Sequence, residues 1–115
     1  MSARPAPRRV CLRPAAGADI LAAAGHYRTD SGLGIALAFI DAIDRACYEI
    51  ARTRGAGTLA YAEALGIPGL RSLAVRSFPH RVFFREAGEF IDVWRVLNSR
   101  RELPEALRHP AESRA

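Results

Sequence analysis

The stretch RVFFREAGEFIDVW, residues 81–94, decides the fold of this chain. Two runs rich in aromatic and β-branched residues flank Ala87-Gly88, a pattern that predicts two strands joined by a tight turn. Branched aliphatic residues alternate along both runs with arginines and aromatic residues. One face of the hairpin is therefore expected to be apolar, and the other to carry cationic and aromatic side chains.

Turn lengths predict how the last part of the chain pairs. Three strands are expected, at 70–75, 81–86 and 90–97, separated by the letters SFPH and AG. A two-residue Ala87-Gly88 turn would set Arg81 opposite Trp94 and Arg85 opposite Phe90. A four-residue SFPH turn would in the same way set residue 73 opposite residue 84.

This pairing sorts the side chains of the sheet into two sets. The apolar set, expected under the helices, is Leu73, Val75, Val82, Phe84, Ile91, Val93 and Leu97. The second set, expected to be a surface, is Arg76, Arg81, Phe83, Arg85, Phe90, Asp92, Trp94 and Asn98. Arginine and aromatic side chains are enriched at protein interfaces, and they equally suit stacking with single-stranded RNA. The alternative is that the C-terminal tail folds back through Leu103 and Leu107 and covers the aromatic residues.

The rest of the chain supplies a strand and two helices. A strand is expected at 8–14, helices at 15–29 and 33–53, and a helical turn at 60–65. The second helix is the clearest, because its apolar residues recur at three- and four-residue steps. The order β-α-α-β-β-β predicts an α+β fold in which a helical hairpin packs on one face of a small antiparallel sheet. Residues 1–7 are expected to be disordered, 8–108 to form a single domain, and 109–115 to be a flexible tail.

Composition narrows the function. The chain has 115 residues and a net charge of +5, and all 17 of its basic residues are arginine. This bias indicates an acidic partner, or simply the base composition of the genome. Mechanisms that need a lysine are excluded. The two cysteines are expected to be free thiols, with no metal and no cofactor, and the lack of a long apolar run or a signal peptide predicts a cytoplasmic protein.

A resemblance extends over most of the chain. GLRSLAVRSFPHRVFFREAGEFIDVWRVLNSRRELPEAL, residues 69–107, resembles the C-terminal half of the ParE branch of the RelE/ParE toxins, which are the toxin halves of bacterial type II toxin–antitoxin modules. RPAAGADILAAAGHY and GIALAFIDAIDRACYEIA are similar to the two helices of that family. The chain departs from the family pattern at Asn98, where histidine is common, and at Glu102, where aspartate is common.

The resemblance implies one of two activities. RelE-like members cut mRNA in the ribosome, whereas ParE-like members inhibit DNA gyrase by binding to it. Cleavage needs an acid and a base, but His80 lies in a turn, and Glu86 and Glu89 have no obvious acid partner. We therefore expect a non-enzymatic binder. The alternatives are a RelE-like mRNA endonuclease and a non-toxic relic that binds only its antitoxin.

The expected site lies on the arginine-bearing face and the tail that follows it. The residues predicted to contact the target or partner are Arg76, Arg81, Phe83, Arg85, Trp94, Asn98, Arg100 and Arg101. The family implies a cognate ParD-like antitoxin with an acidic, partly disordered segment, DNA gyrase as the target, and operator DNA bound only through the antitoxin. Opposite charge would favour the antitoxin complex.

Overall fold

A computed structural model describes residues 6–100 of the chain. Its elements are β1 (Arg9–Leu12), α1 (Pro14–Ser31), α2 (Leu33–Arg52), α3 (Ala60–Leu65), β2 (Arg71–Ala74), β3 (His80–Ala87) and β4 (Phe90–Asn98). This is the predicted order, with the expected helical turn present as α3. The predicted turn near Leu103–Leu107 and the predicted tail lie outside the described residues, as does most of the predicted disordered N-terminus. No helix in the described range is long and apolar enough to cross a membrane.

The two long helices form the predicted hairpin. Pro14 occupies the first turn of α1, where its fixed φ suits helix entry and its missing N–H costs nothing. Gly32, at φ 92°, lies between α1 and α2 and reverses the chain. The apolar stripe of α2 is buried through Phe39, Ile43 and Ile50, as its periodicity predicts.

The sheet has four strands in the order β1-β4-β3-β2. The three C-terminal strands are antiparallel neighbours, as predicted. β1 extends the predicted antiparallel sheet by pairing with β4 in the parallel direction, so the complete sheet is mixed. The helical hairpin that follows β1 is long enough to make the crossover that a parallel pair needs.

The predicted pairing of β3 with β4 is wrong. Ala87 pairs with Phe90, so the turn is Gly88-Glu89 rather than Ala87-Gly88. Gly88 adopts φ 67°, a left-handed conformation that glycine reaches without strain. As a result Arg85 lies opposite Asp92 rather than Phe90.

A bulge between Phe83 and Phe84 changes the register again. Phe84 pairs with Val93 and Phe83 with Arg95, so that Trp94 is the extra residue of β4. Residues beyond a bulge exchange faces, because side chains alternate strictly along a strand.

The exchange of faces has three consequences for the predicted sets. Arg81 pairs with Leu97, not with Trp94. Leu97 packs with Trp94 on the sheet face opposite α1 and α2, so its predicted place in the core beneath those two helices is wrong. Asn98 pairs with His80 and lines a cleft beside α1, not the arginine-bearing face.

The pairing of β2 with β3 is shifted by two residues from the prediction. Leu73 lies opposite Val82 instead of Phe84. The backbone N–H of Val75 donates to His80 O at 2.9 Å, so the turn consists of residues 76–79. An even shift keeps each side chain on its predicted face.

Two apolar cores lie on opposite faces of the sheet. The larger core joins the helices to the sheet and contains Ala16, Phe39, Ile43, Ala46, Ile50, Ala56, Val75, Val82, Phe84, Ile91, Val93 and Val96. The smaller core, on the other face, contains Leu70, Phe83, Trp94 and Leu97, with Tyr61, Ala62, Leu65 and Ile67 packed against it. The smaller core buries one half of the predicted arginine-bearing surface and leaves the other half exposed.

Candidate functional site

One half of the arginine-bearing face is covered by residues 57–70, which we call the covering segment. Tyr61 and Leu65 of this segment pack on Phe83 and Trp94, and the rings of Tyr61 and Phe83 meet edge to face at 5.3 Å. Phe83 is 0% exposed and Trp94 is 5% exposed. The expectation that these aromatic residues form an open surface is therefore wrong, because the chain's own short helix lies over them.

Polar contacts fix the covering segment to β2 and β3. Thr58 and Ser72 exchange two backbone hydrogen bonds, of 2.9 and 3.0 Å. The Nε of Arg81 donates to Ser72 Oγ at 2.9 Å, and its guanidinium lies 5.4 Å from the ring centre of Tyr61. Arg81, predicted to contact a target, thus has structural partners within the protein.

The other half of the face is open. It is built by β1, β4 and the end of β3, where cross-strand neighbours share a face. Arg9 pairs with Phe90, and Cys11 pairs with Asp92, which in turn pairs with Arg85. Arg9, Arg85 and Phe90 are exposed.

We call the exposed part of this half the open patch: Arg9, Cys11, Arg85, Glu89 and Phe90. Four of these residues, all except Arg85, line one depression in the surface. The exposed ring of Phe90, the neighbouring Arg9 and the exposed Arg85 on β3 give the patch the composition of a protein-binding surface.

An ordered cluster borders the open patch. Arg13 donates from Nε and Nη2 to the two carboxylate oxygens of Asp92, at 3.1 and 2.9 Å. Trp94 Nε1 donates to the same carboxylate at 3.1 Å, and the Arg13 guanidinium stacks 4.5 Å from the indole centre. Asp92 therefore neutralises an arginine, as a two-point acceptor that also orients Trp94.

Among the predicted arginines within residues 6–100, Arg85 is the one exposed on the sheet face itself. Its guanidinium lies 5.9 Å from the indole centre of Trp94, on the boundary between the covered and open halves. No carboxylate lies within salt-bridge distance of it among residues 6–100. Arg85 thus lies beside Trp94 and has no ion-pair partner within this part of the chain.

Glu86 belongs to a separate, structural network. Its carboxylate accepts hydrogen bonds from Arg8 Nη1 at 3.0 Å and from the backbone N–H of Gly55 at 2.8 Å, and it pairs with Arg71. Burial alone would raise the pKa of Glu86, but the hydrogen bonds from Gly55 and Arg8 and the charges of Arg8 and Arg71 outweigh it and lower the pKa. An anion stabilised in this way is a weak base.

A second cleft lies between α1 and the ends of β3 and β4. Its lining includes Tyr27, His80, Asn98 and Arg100. His80 is 7% exposed, and its ring lies 4.9 Å from that of Phe39. Burial lowers the pKa of His80 below its ordinary value, with the carboxylate of Asp19 acting in the opposite direction, so that the imidazole is neutral at pH 7.

The structure does not bring the predicted site residues together. Arg85 lies at the open patch, Arg81 and the two aromatic residues lie under or against the covering segment, and Asn98 and Arg100 lie at the α1 cleft. Arg76 lines a groove between α2 and β2. Arg101 is outside the described residues.

Three residues of the open half were missed from the sequence. Arg9, Cys11 and Arg13 alternate with Val10 and Leu12 in RVCLR, and Val10 packs on the helix-side core. The alternation itself was a signal that the odd-numbered residues share the other face. Without knowing that β1 pairs with β4, however, the sequence does not place them beside Phe90.

Residues 6–100 contain no cluster of metal-binding side chains, and the thiol of Cys47 is not activated. No group of three or more His, Cys, Asp or Glu side chains is arranged to hold a metal ion there. Both cysteines are free, as predicted. Burial, followed by the charge of Asp44, raises the pKa of Cys47 to about 11, which makes this thiol unreactive at neutral pH.

Comparison with known proteins gives one informative result. No protein-family model matches the chain, and no curated protein matches it. Among solved structures, the chain is similar to one from the "Chromosomal ParDE TA system from P. aeruginosa", with a TM-score of 0.68 and 25% sequence identity. The match covers 79% of this chain and 95% of the other.

The structural match agrees with the resemblance found in the sequence motifs. The chain is related to the ParE-like toxins, and its helical hairpin on a four-stranded sheet is an α+β arrangement of that kind.

Proposed function

We propose that the protein is the toxin of a type II toxin–antitoxin module and that it inhibits DNA gyrase by binding, in the manner of ParE. The observation that carries this proposal is the structural match to the ParDE system, which extends over 95% of the matched chain. In this proposal the open patch is the surface that binds gyrase, with Arg85 as its principal target contact.

The chemistry of the described residues favours binding over cleavage. Glu86, the only carboxylate on β3, is held as a stabilised anion by Arg8, Arg71 and Gly55. The chain has no lysine, and arginine does not release its proton at physiological pH. Neither Glu86 nor the arginines are therefore suited to proton transfer, whereas the arginines and Phe90 of the open patch are suited to hydrogen bonding and stacking.

The predicted target residues take different roles in this proposal. Arg85 contacts the target directly. Trp94, which shares the smaller core with Phe83, lies next to the Arg85 side chain and holds it in position. Arg76, Asn98 and Arg100 form secondary contacts away from the open patch, and Arg101 is kept as a further proposed contact. Arg81 contributes through the covering segment that it anchors.

The proposal includes a cognate ParD-like antitoxin. A chain with a net charge of +5 attracts an acidic segment, and a partly disordered segment can wrap a large surface as it folds on binding. The complex would act in the cytoplasm and would bind operator DNA only through the antitoxin. An antitoxin affinity that does not fall at high salt would contradict the role assigned to charge.

A supercoiling assay with purified gyrase tests the target. We expect the wild-type protein to block supercoiling of relaxed plasmid in proportion to its concentration, and to leave ribosome-bound mRNA intact in a parallel reaction. Normal supercoiling together with fragmented mRNA would overturn the proposal in favour of a RelE-like activity.

One observation favours a second candidate, a RelE-like endonuclease. The neutral imidazole of His80 lies opposite Asn98, with Arg100 lining the same cleft. An imidazole beside a guanidinium group could serve as a base next to a bound phosphate. Cleavage of ribosomal mRNA that is lost in His80→Gln at unchanged thermal stability would support this candidate.

A non-toxic relic is the third reading, and cell growth distinguishes it. Tightly controlled expression without the antitoxin should stop growth if the protein is a toxin. Unimpaired growth, with a soluble folded protein that still binds its antitoxin, would indicate the relic.

A further inference from the structure

We propose that the open patch binds an extended acidic segment of a partner protein, with an apolar side chain of that segment seated against Phe90 and its carboxylates on Arg9 and Arg85. The inference rests on the proposed function, because it gives the chemistry and the docking place of a partner of the toxin. It adds Arg9, Cys11 and Phe90 to the binding surface.

The charges of the patch favour an anionic partner. Arg9 and Arg85 are exposed, and neither lies in an ion pair among residues 6–100. Arg13 differs, since Asp92 takes two of its donors. Within the described residues, the guanidinium groups of Arg9 and Arg85 thus have no ion-pair partner, and a guanidinium group matches a carboxylate in two-point fashion.

The apolar part of the patch favours a partner with a side chain to bury. Phe90 is 40% exposed at the start of β4, and it lines the depression together with Cys11. An exposed ring flanked by arginines is the composition of an interface centre rather than of an ordinary polar surface. Burying the exposed part of the ring would strengthen binding beyond the charge pairing alone.

The carboxylates of the patch favour a protein over a nucleic acid. Glu89 lines the same depression, and Asp92 lies next to Arg85 across the strands. Asp92 is already paired with Arg13, whereas Glu89 leaves a negative charge in the depression. A continuous phosphate backbone, whose contacts depend on unopposed positive charge, cannot avoid this charge. A peptide can instead place its acidic residues at the two arginines and an apolar residue between them.

The two cysteines provide a reporter for occupation of the patch. Cys11 is a partly exposed free thiol inside the depression. Cys47 is on α2 in the other core, and its pKa of about 11 leaves roughly one molecule in several thousand as thiolate at pH 7.5. The fast reaction of the intact protein with a thiol reagent should therefore report Cys11, and Cys11→Ser should remove it.

The test measures the rate of this reaction with three probes. They are a capped peptide of four Glu-Leu repeats, the matched peptide of four Gln-Leu repeats, and an eight-residue oligothymidylate. We expect the Glu-Leu peptide at saturation to slow the reaction at least fivefold and the other two probes to have little effect. The protection should disappear in Arg9→Glu and Arg85→Glu, and it should weaken in 0.5 M salt.

A matched control and a parallel assay complete the design. Arg28→Glu reverses an exposed arginine on α1, on the helix side of the sheet, and should leave the protection unchanged. Equal protection by the Gln-Leu peptide, protection by the oligothymidylate alone, or protection by none of the probes would overturn the inference.

Supercoiling by gyrase is measured with the same samples. Gyrase inhibition without peptide protection would contradict this inference but not the proposed function. Peptide protection without gyrase inhibition would contradict the proposed gyrase target but not the acidic-segment site.

Discussion

The two halves of one sheet face differ in how far their aromatic side chains are exposed to solvent. Phe83 and Trp94 lie in the covered half and are 0% and 5% exposed, whereas Phe90, four residues before Trp94 on the same strand, is 40% exposed. All three belong to the same alternating pattern of arginine and aromatic residues. The difference arises because the covering segment, residues 57–70, lies over one half of the sheet face and does not reach the other half.

This difference shows that an aromatic-arginine pattern does not by itself indicate a binding surface. Under the covering segment, the aromatic side chains build a second core and Arg81 anchors the segment to Ser72. Beyond the segment, the same residue types remain available to a partner. The predictions below test this division, from the largest expected effect to the smallest.

Truncating one aromatic residue in each half should have very different effects on stability. Phe83→Ala leaves a cavity in the smaller core and should lower the free energy of unfolding by about 3–5 kcal/mol. Phe90→Ala removes a partly exposed ring and should cost less than about 1 kcal/mol. Chemical denaturation of both variants measures the free energy of unfolding. Similar decreases in the two variants would contradict the division into a covered and an open half.

Gly57, at the start of the covering segment, should tolerate no side chain. A Cβ there would lie 2.3 Å from the backbone oxygen of Ser72, and φ is 76°. Gly57→Ala should therefore cost more than about 2 kcal/mol and expose the smaller core, which the fluorescence of Trp94 would report. Gly17→Ala is the control, since its Cβ meets nothing within 4 Å on α1, and it should stabilise by about 0.5–1 kcal/mol.

Asp92 at the border of the two halves should matter more than a surface carboxylate. Asp92→Asn weakens the two-point bond to Arg13 and leaves that partly buried guanidinium without its counter-charge, at a cost of about 1–3 kcal/mol. Asp41→Asn breaks an exposed pair with Arg45 and should cost less than about 0.5 kcal/mol. Equal thermal shifts in the two variants would mean that the cluster is not held as described.

Acid should weaken the structural network around Glu86. The pKa of this group is lower in the folded protein than in the unfolded chain, so its contribution is present above the unfolded pKa and is lost as the pH falls through the folded pKa. The free energy of unfolding should decline below about pH 4.5 less steeply in Glu86→Gln than in the wild type. Parallel pH profiles of the two proteins would show that Glu86 does not contribute in this way.

Much of the fold followed from sequence pattern. The periodicity of α2 predicted its buried stripe, and hydrophobic runs with turn residues located the three C-terminal strands. The order of elements and the family motifs agreed with the structural match.

The errors came from features that a local pattern does not contain. The bulge at Phe83/Phe84 adds one residue to β4 and sends Leu97 to the opposite face. The prediction assumed a two-residue turn at Ala87-Gly88, which placed Arg85 opposite Phe90. The same sequence also allows a two-residue turn at Gly88-Glu89, and this is the turn that forms. The position of α3 over Trp94 depends on contacts between distant residues, which alternation along a strand does not reveal.

The measurement that tests the account most directly is inhibition of gyrase supercoiling by three proteins: the wild type, Arg85→Glu and Arg28→Glu. The account predicts that the wild type and Arg28→Glu inhibit equally, and that Arg85→Glu, at an unchanged melting temperature, is at least about tenfold weaker, since loss of one central contact is worth about 1.4 kcal/mol or more. Equal inhibition by all three proteins, or inhibition by none, would contradict it.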